Sequence, residues 1–308
     1  MFNIVEKRRW YFLIAGLAIL LGIAAMVVST VRFGSPVRLS IDFTGGSLFV
    51  FHFDGPADEA AVRAVLADHG LSEAIVQRLG REEENTWQVR TREAAANEVR
   101  DLLNDMEARV APLNRDLLTY ETVSPMVGGE VTRAAGIALL VSATIIIAFI
   151  WWSFRRVPHA FRYGVAAIAA MLNAVFIAFG FYALMGVLSG WEVDALFLTA
   201  LLTVTAFSVQ DTIVVFDRIR ENLPRYRNEP FERVVNRSIL ETIHRSLATQ
   251  LNAIFVMIAI ILFGGETIRP FIATMLVGLV AGTLSSIFVA VPLVVAWELA
   301  TRRRAAAV

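Results

Sequence analysis

The sequence contains no cysteine and a single lysine, Lys7. Without cysteine there are no disulfides, no thiolate metal sites and no cysteine nucleophile. Arginine fills the basic positions that lysine leaves. The four histidines, His52, His69, His159 and His244, are scattered, and no two share metal-ligand spacing on a helix. No Walker-type glycine loop occurs, so ATP is not this chain's own energy source. Basic and acidic residues number 28 each, for a net charge of zero, so no overall field favours nucleic acid. These absences argue against an enzyme and leave no expected cofactor or metal.

What the sequence has in quantity is apolar surface. Of 308 residues 56% are hydrophobic and 18% charged, with a mean hydropathy of +0.61. That lies outside the range of soluble domains and predicts a polytopic α-helical membrane protein. Apolar runs of spanning length cover residues 10–31, 134–152, 163–188, 195–216, 245–263 and 270–299, and a helix needs about 20 residues to cross a bilayer. The first run follows Lys7, Arg8 and Arg9, but it is longer than a signal-peptide core and lacks an A-x-A site, so it reads as an uncleaved span. Basic clusters fall at the N-terminus, after span two (Arg155, Arg156, His159, Arg162), after span four, and at Arg302, Arg303 and Arg304. With six spans these all lie on one side, which the positive-inside rule makes cytoplasmic. Trp10, Trp151, Trp152 and Trp297 fall at that edge and Trp191 at the other. Both termini are then cytoplasmic, and the long excursion between spans one and two is extracytoplasmic.

That excursion, residues 35–130, is the one segment with soluble character. Alternating and helical periodicities predict strand 47–53, helix 58–69, strands 73–79 and 86–90, helix 92–110 and strand 116–123. The order β-α-β-β-α-β is that of a ferredoxin-like split unit. Two glycine pairs bracket it, Gly45-Gly46 and Gly128-Gly129. The first leads into a strand, the wrong context for a phosphate cradle, so both pairs read as permissive turns and hinge candidates. The chain therefore divides into residues 1–34, the domain 35–130, and residues 131–308.

The rest is organised around residues 207–222, FSVQDTIVVFDRIREN, where Asp211 lies inside an apolar span. An acid at that depth costs several kcal/mol and faces protein, a partner charge or water. It reads as an ion or proton group, with a structural polar contact as the plainer alternative. Ser208 lies one turn before it and Thr212 beside it. Arg245, Thr249 and Asn252 at the start of span five stand at i, i+4 and i+7, one helical face. An Asp211–Arg245 pair would satisfy both charges. Arginine keeps its proton at any relevant pH, so only the aspartate could switch. Asn173, Thr283, Ser285 and Ser286 could extend a polar lining, although Gly282 and these small residues fit close helix packing better. In 217–244, Phe231, Val234, Val235, Ile239 and Ile243 recur at three- and four-residue steps among arginines. That suits an amphipathic helix on the cytoplasmic lipid surface, with a partner-docking site as the alternative.

Together the motifs IDFTGGS, VGGEVTRAAG, FSVQDTIVVFDRIREN, NRSILETIHRSLATQLNA and GTLSSIFVAVPLVV resemble the SecF branch of the SecD/SecF protein-export family. The likeness spans nearly the whole chain. The family has the architecture of resistance–nodulation–division transporters. The resemblance implies an accessory subunit paired with SecD, joined to the Sec channel (SecYEG), and using the proton gradient to move its periplasmic domain and promote preprotein translocation. It places the proton-responsive acid on Asp211 and its basic partner on Arg245. Gln210 stands where asparagine is more usual, and Gln250 and Asn252 where small hydroxyl residues are common. Two other readings remain: half of a proton-driven small-molecule or lipid exporter, and a non-energised scaffold of the channel. A scaffold has little reason to bury a titratable acid.

Overall fold

In chain order the elements are a 3₁₀ turn (Val5–Lys7), α1 (Arg8–Phe33), α2 (Ile41–Thr44), β1 (Gly46–His52), α3 (Glu59–Asp68), β2 (Ile75–Leu79), β3 (Thr86–Thr91), α4 (Ala96–Arg109), β4 (Thr119–Val123), α5 (Pro125–Phe154), α6 (Ala160–Ser189), α7 (Ala195–Arg225), α8 (Phe231–Phe263), α9 (Arg269–Ser285), a π-helical segment (Ser286–Ala290) and α10 (Val291–Ala306). This is a computed structural model describing residues 4–80, 84–154, 160–265 and 268–306. Phe2, Arg155, Arg156, His159 and Glu266, and the side chains of Arg302, Arg303 and Arg304, lie outside the described residues. The chain forms two units, one of residues Met1–Arg38 with Ala138–Val308 and one of Leu39–Ile137.

The first unit carries helices long and apolar enough to cross a membrane. Six such stretches occur among the described residues: Val5–Phe33, Pro125–Phe149, Phe161–Ser189, Ala195–Arg225, Phe231–Phe263 and Arg269–Thr301. Their ends are set by local chemistry. Gly34, at φ 77°, closes α1 by donating its N–H to Thr30 O at 2.9 Å, the left-handed cap that glycine accepts without a Cβ penalty. Asp194 caps α7 by accepting from Phe197 N at 2.7 Å. Pro125 opens α5 and Pro270 opens α9, where a missing N–H costs nothing.

Helices α6, α7 and α9 pack centrally, with α1 against α6 and α8 against α7 and α9. Glycines allow the closest approaches. A Cβ on Gly22 of α1 would lie 3.0 Å from Gly180 Cα of α6. Along α9, Gly278 meets Val204, and a Cβ on Gly282 would lie 3.1 Å from Ser208 Cβ. Where lipid tails give no hydrophobic drive between helices, such backbone contact supplies the attraction. Span six is one continuous run that changes helix type. Pro292 follows the π-helical segment, and a proline inside an α-helix clashes with the carbonyl four residues back, here that of Phe288. The wider π turn over residues 286–290 is the local solution.

The arginine-rich segment differs from its sequence-based expectation. Helix α7 continues to Arg225 and α8 begins at Phe231, so residues 217–244 form the end of one helix and the start of the next. Phe231, Val235 and Ile239 are buried in one cluster with Val5, Phe216, Ile219, Val294 and Val295. Protein, not a lipid surface, covers this face. The periodicity was that of an amphipathic helix, but it could not tell a lipid surface from the chain's own helices. The arginines find acids nearby: Arg218 bonds Glu241 at 2.5 Å and Glu221 at 2.7 Å, and Arg237 bonds Glu229 at 3.0 Å beneath the Tyr226 ring.

In the second unit the four strands form one antiparallel sheet of order β2-β3-β1-β4, as the split β-α-β unit requires. Alternation along β1 turns Phe49 and Phe51 inward, with Phe53 just beyond its end. They meet Trp87 and Val89 of β3 and the apolar faces of α3 (Val62, Val65, Leu66) and α4 (Val99, Leu102, Met106). Strand β1 ends one residue earlier than its alternation suggests, leaving Phe53 in an isolated bridge with Leu113. The unit ends at Ile137 because it takes in the first turns of α5.

The glycine pairs take different roles. Gly45 (φ 73°) and Gly46 (φ 120°) need the glycine backbone, whereas Gly128 and Gly129 lie inside α5 and form no turn. Gly128 is required by proximity instead: a Cβ there would lie 2.9 Å from Gly45 N and 3.0 Å from Phe43 O. Gly129 has nothing within 4 Å. The two therefore respond oppositely to alanine. Gly128→Ala should destabilise the full chain by about 1–3 kcal/mol through overpacking, while Gly129→Ala should be neutral or stabilising by up to about 1 kcal/mol through helix propensity. Thermal unfolding of the detergent-solubilised protein measures both, and equal behaviour of the two variants would contradict the crossing.

Candidate functional site

Asp211 is buried at 6% exposure on α7. Its Oδ2 accepts from Gln250 Nε2 of α8 at 2.7 Å and from Thr283 Oγ1 of α9 at 3.1 Å. Three helices thus meet at one carboxyl group, and every partner is neutral. Thr212 beside it is fully buried but donates to its own helix, at Ser208 O, 2.8 Å. Ser208 is buried against Gly282, and its Oγ has no hydrogen-bond partner.

The structure does not bring Arg245 to Asp211. Arg245, Thr249 and Asn252 are exposed, and Thr249 donates to Arg245 O at 3.0 Å. The face of α8 turned inward carries Ser238, Thr242, Ser246 and Gln250, all buried. These stand four residues apart and follow one line along the helix. That stripe was present in the sequence, but choosing the face by seeking a cation for the acid selected the exposed side. Thr242 belongs to the inward line, not to the arginine face. Gln250 and Thr283 are therefore the hydrogen-bonding neighbours that charge-pairing logic missed.

Further polar contacts continue through the bundle. Asn173 of α6 donates to Ser285 Oγ at 2.6 Å, both buried, and Ser286 donates to Thr283 O at 2.9 Å. Close packing describes Gly282, while Thr283 and Ser285 are hydrogen-bonding residues. Toward the arginine-rich end, Asn222 donates to Ser238 Oγ at 3.0 Å and to Glu241 Oε2 at 2.8 Å. Among the described residues no group of three or more His, Cys, Asp or Glu side chains is placed to hold a metal ion.

The energies at Asp211 are close to balance. An acid at the centre of a spanning helix costs about 2.5–3.5 kcal/mol on insertion scales. Hydrogen bonds to a charged group return about 1.5–3 kcal/mol each, and there are two.

The comparison with known proteins agrees with this architecture. Residues 103–300 match the family model described as protein export membrane protein SecD/SecF, C-terminal, and residues 33–57 match the SecD/SecF GG motif. The chain belongs to the SecD/SecF family. Among SecD/SecF relatives it is 44% identical over 302 residues to the protein translocase subunit SecF of Anaerolinea thermophila, covering 97% of this chain and 94% of that protein. It is 41% identical over 308 residues to the SecF subunit of Thermobaculum terrenum, covering 97% and 94%. The crystal structure of SecDF from Thermus thermophilus, described as translocon-associated, superposes with a TM-score of 0.79 at 31% identity. That match covers 96% of this chain and 38% of the SecDF chain, so the chain corresponds to well under half of that protein. The SecD/SecF match also fixes the setting: a multi-pass protein of the bacterial inner membrane with its α+β domain in the periplasm. The GG motif coincides with the Gly45–Gly46 pair, whose first member approaches Gly128.

Burial separates the residues at and around this site. Arg245→Gln should leave the unfolding midpoint of the isolated chain within about 0.5 kcal/mol of the parent, as an exposed substitution does. Asn173→Leu, which strands the Ser285 hydroxyl and adds bulk, should cost about 1–3 kcal/mol. Chemical denaturation in mixed micelles distinguishes them, and a large loss from Arg245→Gln would place that side chain inside the bundle.

Proposed function

We propose that this chain is an accessory subunit of the Sec protein-export complex, in which proton movement at Asp211 drives motion of the periplasmic domain and promotes preprotein translocation. The observation that carries this is the buried carboxylate held by neutral donors alone. A carboxylate locked to an arginine is fixed in charge, whereas one balanced by an amide and a hydroxyl can take up and release a proton. Each proton crossing the membrane supplies about 2.3 kcal/mol per 100 mV, comparable with one charge-assisted hydrogen bond. Helices α7, α8 and α9 meet at this carboxyl, so a change in its charge acts on all three together. Gly45 and Gly46, where the chain enters the domain with positive φ, are the assigned pivot.

The exposed polar line Arg245, Thr249 and Asn252 on α8 is the second support. Polar side chains on a spanning helix are not left in lipid; they face protein or water. We assign this line to the interface with SecD, where Arg245 joins the proton path from the partner side. The complex would then engage SecYEG and the emerging preprotein.

Export into inverted membrane vesicles carrying Asp211→Asn tests the first reading. Asparagine keeps size and polarity but does not titrate. Gradient-dependent stimulation should vanish while complex assembly and ATP-driven export persist; unchanged stimulation would leave a scaffold role. The second reading uses the absence of cysteine. A lone cysteine introduced by Thr249→Cys should cross-link to a cysteine-bearing SecD. Modification only by lipid-soluble reagents, with no cross-link to any SecD position, would show that this face meets lipid.

A further inference from the structure

Gln250 has one end of its amide in use and the other idle. Its Nε2 donates to Asp211 Oδ2 at 2.7 Å, while its Oε1 is buried and accepts nothing, in a side chain only 4% exposed. A buried acceptor left empty costs about 1–3 kcal/mol, so an arrangement that fills it is favoured whenever a donor appears. The terminal torsion of glutamine is broad and nearly two-fold. Turning the amide end for end exchanges a donor for an acceptor with almost no change of shape.

Thr283 shows a similar duality. Its single hydroxyl proton has two acceptors in reach, Asp211 Oδ2 at 3.1 Å and Leu279 O at 3.0 Å. Both partners of the carboxyl group thus have an alternative. A carboxylate needs donors and a carboxylic acid needs one acceptor, and the pair Gln250–Thr283 can supply either set. Elements packed against α7 carry other titratable groups: Tyr163 and Tyr182 on α6, Glu241 and Arg245 on α8, Arg269 on α9 and Glu298 on α10. Among the described residues none of them bonds the Asp211 carboxyl, whose partners are Gln250 and Thr283.

We propose that Gln250 is a positioning residue that reads the protonation state of Asp211, donating through Nε2 to the carboxylate and, with its amide turned, accepting the acid proton on Oε1. On protonation Thr283 returns its hydroxyl proton to Leu279 O, and the tie from α9 to α7 is released while that from α8 is kept. The asymmetry gives the step a direction: α9 is freed, α8 is not. An apolar side chain of the same length can neither donate nor accept, and so cannot fill this role. The inference rests on Asp211 being the proton switch proposed above.

Infrared difference spectra of the full chain in lipid vesicles, between alkaline and acidic buffer, test it. The parent should show a glutamine amide carbonyl band that shifts when a protonated carboxyl band appears. Both changes should be lost in Asp211→Asn, and the amide change alone should be lost in Gln250→Met. The carboxyl midpoint should move upward by about one pH unit in Gln250→Met, a tenfold change in proton affinity, because a hydrogen bond to the charged form is about twice as strong as one to the neutral form. An amide band insensitive to pH in the parent overturns the proposal, and this measurement needs no variant that might misfold. An unchanged midpoint in Gln250→Met overturns it as well. If the spectra behave as expected but Asp211→Asn leaves gradient-driven export intact, the switch reading fails and the Gln250 assignment survives as chemistry of a structural acid.

Discussion

The membrane unit is built around a carboxylate that, among the described residues, has no cation bound to it. A lone negative charge in an apolar bundle must be met by dipoles, and dipoles act only at contact distance. Helices α7, α8 and α9 are therefore held close enough for a glutamine and a threonine to reach Asp211. That requirement explains the glycines of α9: Gly278 and Gly282 remove the side chains that would hold α9 away from Val204 and Ser208. Bringing α9 in also places Ser285 against Asn173 of α6. Packing and polarity are one constraint here, since the hydrogen bonds form only if the backbones approach and the approach is worthwhile only if the bonds form.

Much of the fold was legible in the chain. Six apolar runs, each long enough to cross a bilayer, and one β-α-β-β-α-β segment appear where periodicity and length place them, because both signals are local. Phe49 and Phe51 alternate, and Val62, Val65 and Leu66 follow helical steps. What was not legible is what required knowing which surfaces meet. The amphipathic stretch around Phe231 and Val235 had the right pattern for a lipid surface and instead meets Val5, Phe216 and Val294. Position 211 was found because charge inside an apolar run is conspicuous, whereas Gln250 was overlooked as a partner because neutral amides carry no such signal. Four-residue spacing from Ser238 through Thr242 and Ser246 to Gln250 was the cue available, and it competed with the stronger appeal of an arginine at position 245.

Ion pairs gather where α7 ends and α8 begins, away from Asp211. Arg218 near the end of α7 pairs with Glu221 and Glu241, and Arg237 near the start of α8 with Glu229. Asn222 joins Glu241 to Ser238 at the base of the inward polar line of α8. Between that base and Asp211 the line consists of hydroxyl and amide groups, which can pass or accept hydrogen bonds without adding charge. The inward line is thus ionic at its outer end and neutral where it reaches Asp211.

The contact of Gly22 with Gly180 bears on how the protein meets membranes of different thickness. A single helix adapts to hydrophobic mismatch by tilting, at a small cost per ångström. Helices α1 and α6 touch backbone to backbone, so neither can change its angle alone without opening a void at the crossing. Their tilt is shared. Bilayer thickness is thereby felt by the pair as one rigid wall, and acyl-chain length becomes a variable to which this half of the bundle responds as a unit.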